Sequence, residues 1–105
     1  MEEFENNDLN LKGKIYGSAP VQSDGTINGF PFYFRARWDE WSFAISENPD
    51  ISPVDIQLID AGKEYGYFAE GRIGKAWEYL ASYMEVNMVK DIITKCTIEY
   101  LKTKL

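Results

Sequence analysis

The sequence predicts an α+β domain: an antiparallel sheet of four to six strands with one long C-terminal helix packed on its aromatic-rich face. Three observations predict it. Two runs with strict period-two alternation flank Asp39-Glu40. A helical apolar stripe runs through the last part of the chain. Between and before these, short apolar runs are separated by turn-forming dipeptides.

Taken in order, residues 1–9 (Met1-Glu2-Glu3-Phe4-Glu5-Asn6-Asn7-Asp8-Leu9) carry four acids and three large apolar residues, and read as a mobile acidic tail before a single domain over 10–105. Lys12–Gly17 reads as a short strand around Ile15. Asp24-Gly25 and Asn28-Gly29 are turn dipeptides, because Gly and Asn tolerate positive φ, and one of the two closes a hairpin.

Phe30 to Ser46 is the clearest segment. With Asp39-Glu40 as a two-residue loop, Trp38 faces Trp41, Ala36 faces Phe43 and Phe34 faces Ile45. Opposed residues of an antiparallel pair project to one side. One face then collects Phe32, Phe34, Ala36, Trp38, Trp41, Phe43 and Ile45, and the other Tyr33, Arg35, Arg37, Ser42, Ala44 and Ser46. Asp-Glu suits a tight two-residue turn poorly, so a longer loop around these residues is the alternative.

Asn48-Pro49-Asp50 and Ser52-Pro53 predict a rigid loop, since proline fixes φ and supplies no donor. Val54, Ile56 and Leu58 alternate with polar neighbours, which predicts a strand with those three inward. With a turn at 60–63 and a strand at 65–69, a second hairpin is expected, followed by a loop over 70–75. Trp77–Ser82 fits either a short strand or a helix start, with the strand preferred because Ser82-Tyr83-Met84-Glu85 matches a capping box. From there to about Lys104 a helix is expected, with Val86, Val89, Ile92, Ile93, Cys96 and Tyr100 on one stripe.

Composition narrows the function. There are 11 Lys+Arg against 17 Asp+Glu, a net charge of −6, with no histidine, one cysteine and 15% aromatics. The missing histidine removes His-based metal sites and Ser-His-Asp or Cys-His nucleophile systems. One cysteine excludes an internal disulfide. The acidic balance argues against direct nucleic-acid binding. No apolar run reaches the ~20 residues a membrane span needs, and the polar start does not resemble a signal peptide, so a cytoplasmic protein is expected.

Three groups of residues are candidate sites. Asp39, Glu40, Glu47 and Asp50 lie in expected turns; residues 1–60 hold 11 acids and 4 bases, residues 61–105 hold 6 and 7. These acidic tips suit docking to a basic protein surface. Tyr33, Arg35 and Arg37 share a strand face and are a candidate anion site, because guanidinium forks fit carboxylate and phosphate groups. Ile98, Leu101 and Leu105 lie on the helix away from the main stripe and suit self-association as a homodimer, unless Phe4 and Leu9 cover them. Gly71-Arg72-Ile73-Gly74-Lys75 lacks the spacing of a phosphate loop, with Ala76 where a Ser or Thr would hold the metal. Cys96, central in the apolar stripe, reads as a buried structural thiol. No catalytic residue, metal or cofactor is expected. The function expected is a small, acidic, non-catalytic protein-binding module, such as an inhibitor, immunity or anti-defence protein acting on a basic partner. The alternative is a small-ligand binder or enzyme using the Tyr33–Arg35–Arg37 row.

Overall fold

A computed structural model describes residues 2–17, 20–37, 40–59, 64–72 and 86–104. Six strands form one antiparallel meander: β1 (Glu2–Asn6), β2 (Leu11–Tyr16), β3 (Val21–Ile27), β4 (Phe30–Arg37), β5 (Glu40–Ser46) and β6 (Gly66–Arg72). They lie in sequence order across the sheet. A short α1 (Ile56–Ile59) sits between β5 and β6, and the long α2 (Val86–Lys102) follows β6. The expected α+β architecture is therefore present, with six strands among the described residues.

The core lies between α2 and one face of the sheet. Phe32, Phe34, Ala36, Phe43 and Ile45 are buried there with Leu11, Ile15, Val21 and Ile27. From the helix come Val89, Ile93, Cys96 and Tyr100, with Val86 and Ile92 partly buried against the same cluster. The expected stripe is thus the packed one. Aromatic rings do much of the filling: Phe32 stacks on Phe43 at 5.7 Å, and Tyr67 meets the edge of Tyr100 at 5.6 Å. Phe34, Phe43 and Ile45 are inside while Arg35 and Arg37 are exposed, as the alternation requires. Trp38 lies outside the described residues.

Local chemistry explains the turns. Asn28 and Gly29 take φ of 52° and 83°, the paired positive values that a type I′ hairpin needs between β3 and β4. Asp24-Gly25 is not a turn but part of β3. Gly25 stands opposite Gly13 of β2, and a Cβ on Gly25 would lie 2.0 Å from the Lys12 carbonyl oxygen and 2.4 Å from Gly13 Cα. The glycine there serves close strand approach, which a sequence pattern alone does not separate from a turn.

Four expectations are corrected. The β4–β5 register is shifted by two residues: Phe34 faces Phe43 and Ala36 faces Trp41. A two-residue shift keeps every side chain on its face, so periodicity cannot distinguish the two alignments. Residues 2–6 are not a free tail but the edge strand β1, paired with β2 from Glu2–Ile15 to Asn6–Leu11. Phe4 packs against the core, and Glu2 meets Lys90 of α2 at 2.6 Å. Three glutamates around one phenylalanine give no apolar alternation, and charge is a common feature of edge strands. Val54–Ile59 is not a strand. Pro53–Asp55 forms a 3-10 turn running into α1, and β6 pairs with β5 instead. Ser52 caps this turn, its Oγ accepting the Val54 N–H at 3.2 Å, with proline at the first position. Finally, Glu70–Arg72 belong to β6 rather than a loop. The expected turn at 60–63, the remainder of the 70–75 loop, the Trp77–Ser82 segment and the Ser82–Glu85 capping box lie outside the described residues.

Candidate functional site

The sheet face opposite α2 carries the polar halves of the same strands. Register aligns Lys14, Asp24 and Tyr33 in one row, and Gln22, Arg35, Ser42 and Glu70 in the next. Across this face lies the 48–59 segment. It is held at its start by Ser46, whose Oγ donates to the Ile51 carbonyl at 2.5 Å and accepts the Asn48 N–H at 3.3 Å. The Asn48 carboxamide accepts the Asp50 N–H at 2.8 Å. Ile56 is completely buried and Ala44 nearly so, which pins α1 to the sheet. The same turn presents Leu58, Val54 and Ile59 outward, exposed by 84%, 57% and 49%.

The Tyr33–Arg35–Arg37 row shares the face but not one site. The Tyr33 hydroxyl donates to Gln22 Oε1 at 2.8 Å. With Tyr16, Asp24, Pro31, Pro53 and Val54 it lines a shallow groove of about 400 Å³. Arg35 and Arg37 line a separate groove of about 300 Å³ with Glu40, Trp41, Ser42, Gln57 and Glu70. Burial raises the Tyr33 pKa, with nearby Asp24 adding to the rise and Arg35 opposing it. Burial and a 2.9 Å hydrogen bond to Asp24 push Tyr16 up to about 12. Both phenols are therefore neutral hydrogen-bond donors at physiological pH, not bases or nucleophiles.

Two of the expected acidic tips are engaged inside the chain. Glu40 accepts from Arg72 at 2.8 Å. Glu47 accepts the Tyr100 hydroxyl at 2.5 Å and Lys104 Nζ at 2.6 Å. Burial works to raise the Glu47 pKa, but the hydrogen bonds from Lys104 and Tyr100 outweigh it, and the net shift is downward. Asp50 is exposed at the head of the 48–59 segment, and Asp39 lies outside the described residues. On the helix, Leu101 packs against the core cluster while Ile98 is 40% exposed; Leu105 lies outside the described residues. Phe4 and Leu9 both join the core packing. Cys96 is buried, and burial followed by the nearby Glu99 pushes its thiol to about 12, so it is an inert structural thiol.

The exposed Val54, Leu58 and Ile59 are the site residues that sequence reasoning placed differently. Ser52-Pro53 is the signal that could have found them: a capping serine followed by proline opens a helical turn, and a helical turn cannot put Val54, Ile56 and Leu58 on one side. Among the described residues no group of three His, Cys, Asp or Glu gathers as metal ligands, and no helix is long and apolar enough to cross a membrane. No family model, no curated protein and no solved structure matches the chain.

Proposed function

We propose that this protein is a non-catalytic binding module that docks the 50–59 turn into an apolar cleft with a basic rim on a partner protein. The observation that carries this reading is the contrast within one turn: Ile56 wholly buried, Leu58 84% exposed. Single exposed apolar residues are ordinary, but three on one anchored turn form a patch of the kind that marks interaction sites. The anchoring matters energetically, because a preformed turn loses little conformational freedom on binding. The basic rim follows from charge. Residues 48–59 hold Asp50 and Asp55 and no lysine or arginine, in a chain of net charge −6. That charge also disfavours direct nucleic-acid binding. Occlusion of a partner's cleft by a small rigid plug is inhibitor chemistry, so an inhibitory or immunity-type role is the biological class proposed. A buried free thiol suits a reducing, cytoplasmic setting.

The test is a photo-crosslinking residue placed at position 58, with position 12 on the far part of the same face as the control, in the native host. The cross-linked protein is then purified and titrated directly. Expected are cross-linking at 58 but not 12, at least tenfold weaker binding by Leu58→Asp, and an association rate that falls as salt rises. Equal cross-linking at both positions, or unchanged affinity of Leu58→Asp, overturns the proposal. So does tight binding of duplex DNA at physiological salt.

A further inference from the structure

The 300 Å³ groove beneath α1 has a charge pattern that the docking turn does not use. Arg35 of β4, Ser42 of β5 and Glu70 of β6 stand in one row across three neighbouring strands. Adjacent strands lie about 4.8 Å apart, so Ser42 stands one strand from Arg35 on one side and one strand from Glu70 on the other. Gln57, on the turn that covers this face, also lines the groove, as do Arg37, Glu40 and Trp41. No side chain of Arg35, Ser42, Gln57 or Glu70 has a hydrogen-bond or ion-pair partner among the described residues. Of the groove's two other charged side chains, Glu40 accepts from Arg72 and Arg37 has an interaction of its own, which leaves Arg35 and Glu70 as the unengaged pair.

A simple anion fits this arrangement poorly. Drawn to Arg35, it meets Glu70 one strand beyond Ser42, and a simple cation meets the arginine in the same way. A ligand carrying both charges on groups attached to one carbon satisfies both ends. Its carboxylate takes the planar Arg35 fork with the Ser42 hydroxyl and Gln57 amide as further donors. Its ammonium takes the Glu70 carboxylate. A volume of about 300 Å³ is at the small end of ligand clefts, which limits the ligand to one compact molecule. We propose that this groove binds a free α-amino acid as its zwitterion. The groove shares Gln57 with the docking turn, but the inference does not rest on that turn having a partner.

The test is an NMR titration of the isotope-labelled protein with L-alanine, acetate and methylammonium, read at the backbone amides of Ser42 and Gln57. Expected is a saturable shift with L-alanine at millimolar concentration or below, and at least tenfold weaker responses to acetate and methylammonium. Arg35→Met and Glu70→Gln should each weaken L-alanine at least tenfold. Glu70→Gln should at the same time leave acetate unchanged or tighter, which a merely structural effect would not produce. Should Arg35→Met fail to fold, Arg35→Lys keeps the charge, loses the fork and should weaken L-alanine similarly. No saturable shift with L-alanine, or acetate binding as tightly as L-alanine to the unaltered protein, overturns the proposal. L-alanine affinity unchanged in either variant overturns it as well.

Discussion

The two faces of the sheet are built from alternate residues of the same strands, yet they are organised by different forces. Toward α2, Phe32, Phe34, Phe43 and Ile45 are essentially inaccessible to water and packed ring on ring. On the other side, Ala44 and Ile56 make one apolar plug, and around it lie hydrogen-bonded or solvated polar groups. The first face holds the molecule together by removing apolar area from water. Outside that plug the second carries side chains that can change without unfolding the molecule, and it is where an exposed leucine, two arginines and two grooves collect. The period of a β-strand thereby divides a packed face from a largely polar one.

The sharpest way to break this comparison is to truncate neighbours on opposite faces. Phe43→Ala removes a fully buried ring and should cost about 3–5 kcal/mol. Ser42→Ala, one residue earlier and on the open side, should stay within about 0.5 kcal/mol. Denaturant unfolding of the two variants measures both. Equal losses would mean that the open face is structural too.

The seam where the end of α2 meets the end of β5 gives an intermediate effect. Tyr100 is buried and its hydroxyl donates to Glu47, while Lys104 is half exposed and its ion pair is screened, contributing little. Glu47→Gln should cost about 1.5–3 kcal/mol at pH 7, the range for a hydrogen bond to a charged group. The Glu47 pKa is lowered in the folded protein, so its contribution is full above the unfolded value near 4.5 and is lost as pH falls through the folded value. The stability gap between the native protein and Glu47→Gln should therefore be constant from pH 7 down to about 5 and close on further acidification. A gap that persists at the acid end would show that the loss is packing, not charge.

The same contrast explains what could be read from sequence. Phe30 to Ser46 and the α2 stripe were legible because dense apolar residues at a fixed period leave one consistent burial. The faces of β4 and β5 came out correctly while their register did not, because hydrophobic pattern has the same parity in both alignments. Val54, Ile56 and Leu58 mimicked a strand; the capping serine and proline that start a turn there are local signals that outweighed three alternating residues. The edge strand β1 was hidden by its glutamates. The engagement of Glu40 with Arg72 and of Glu47 with Tyr100 and Lys104 joins residues far apart in the chain, and no local pattern contains such pairs. Arg35 and Arg37 were placed on the open face by alternation alone, but their separation from Tyr33 depends on where the 48–59 segment crosses the sheet.

The smallest stability effect is expected where the proposed function is strongest. Leu58 is 84% exposed and its neighbour Ile56 supplies the anchoring of α1. Leu58→Asp therefore removes almost no buried area, and the change in unfolding free energy should lie within about 0.5 kcal/mol. An acid at this position also adds no like-charge contact inside the turn strong enough to matter, since the site is solvated and screened at physiological salt. Ile56→Asp, two residues earlier, would instead bury an unpaired carboxylate against Ala44 and should unfold the turn or the protein. Thermal melts of the two variants separate these outcomes. If Leu58→Asp lowered the melting temperature as much as Ile56→Asp, Leu58 would be a packing residue in solution, and the division between a face that holds the fold and a face that is left to recognise a partner would fail at the residue on which it most depends.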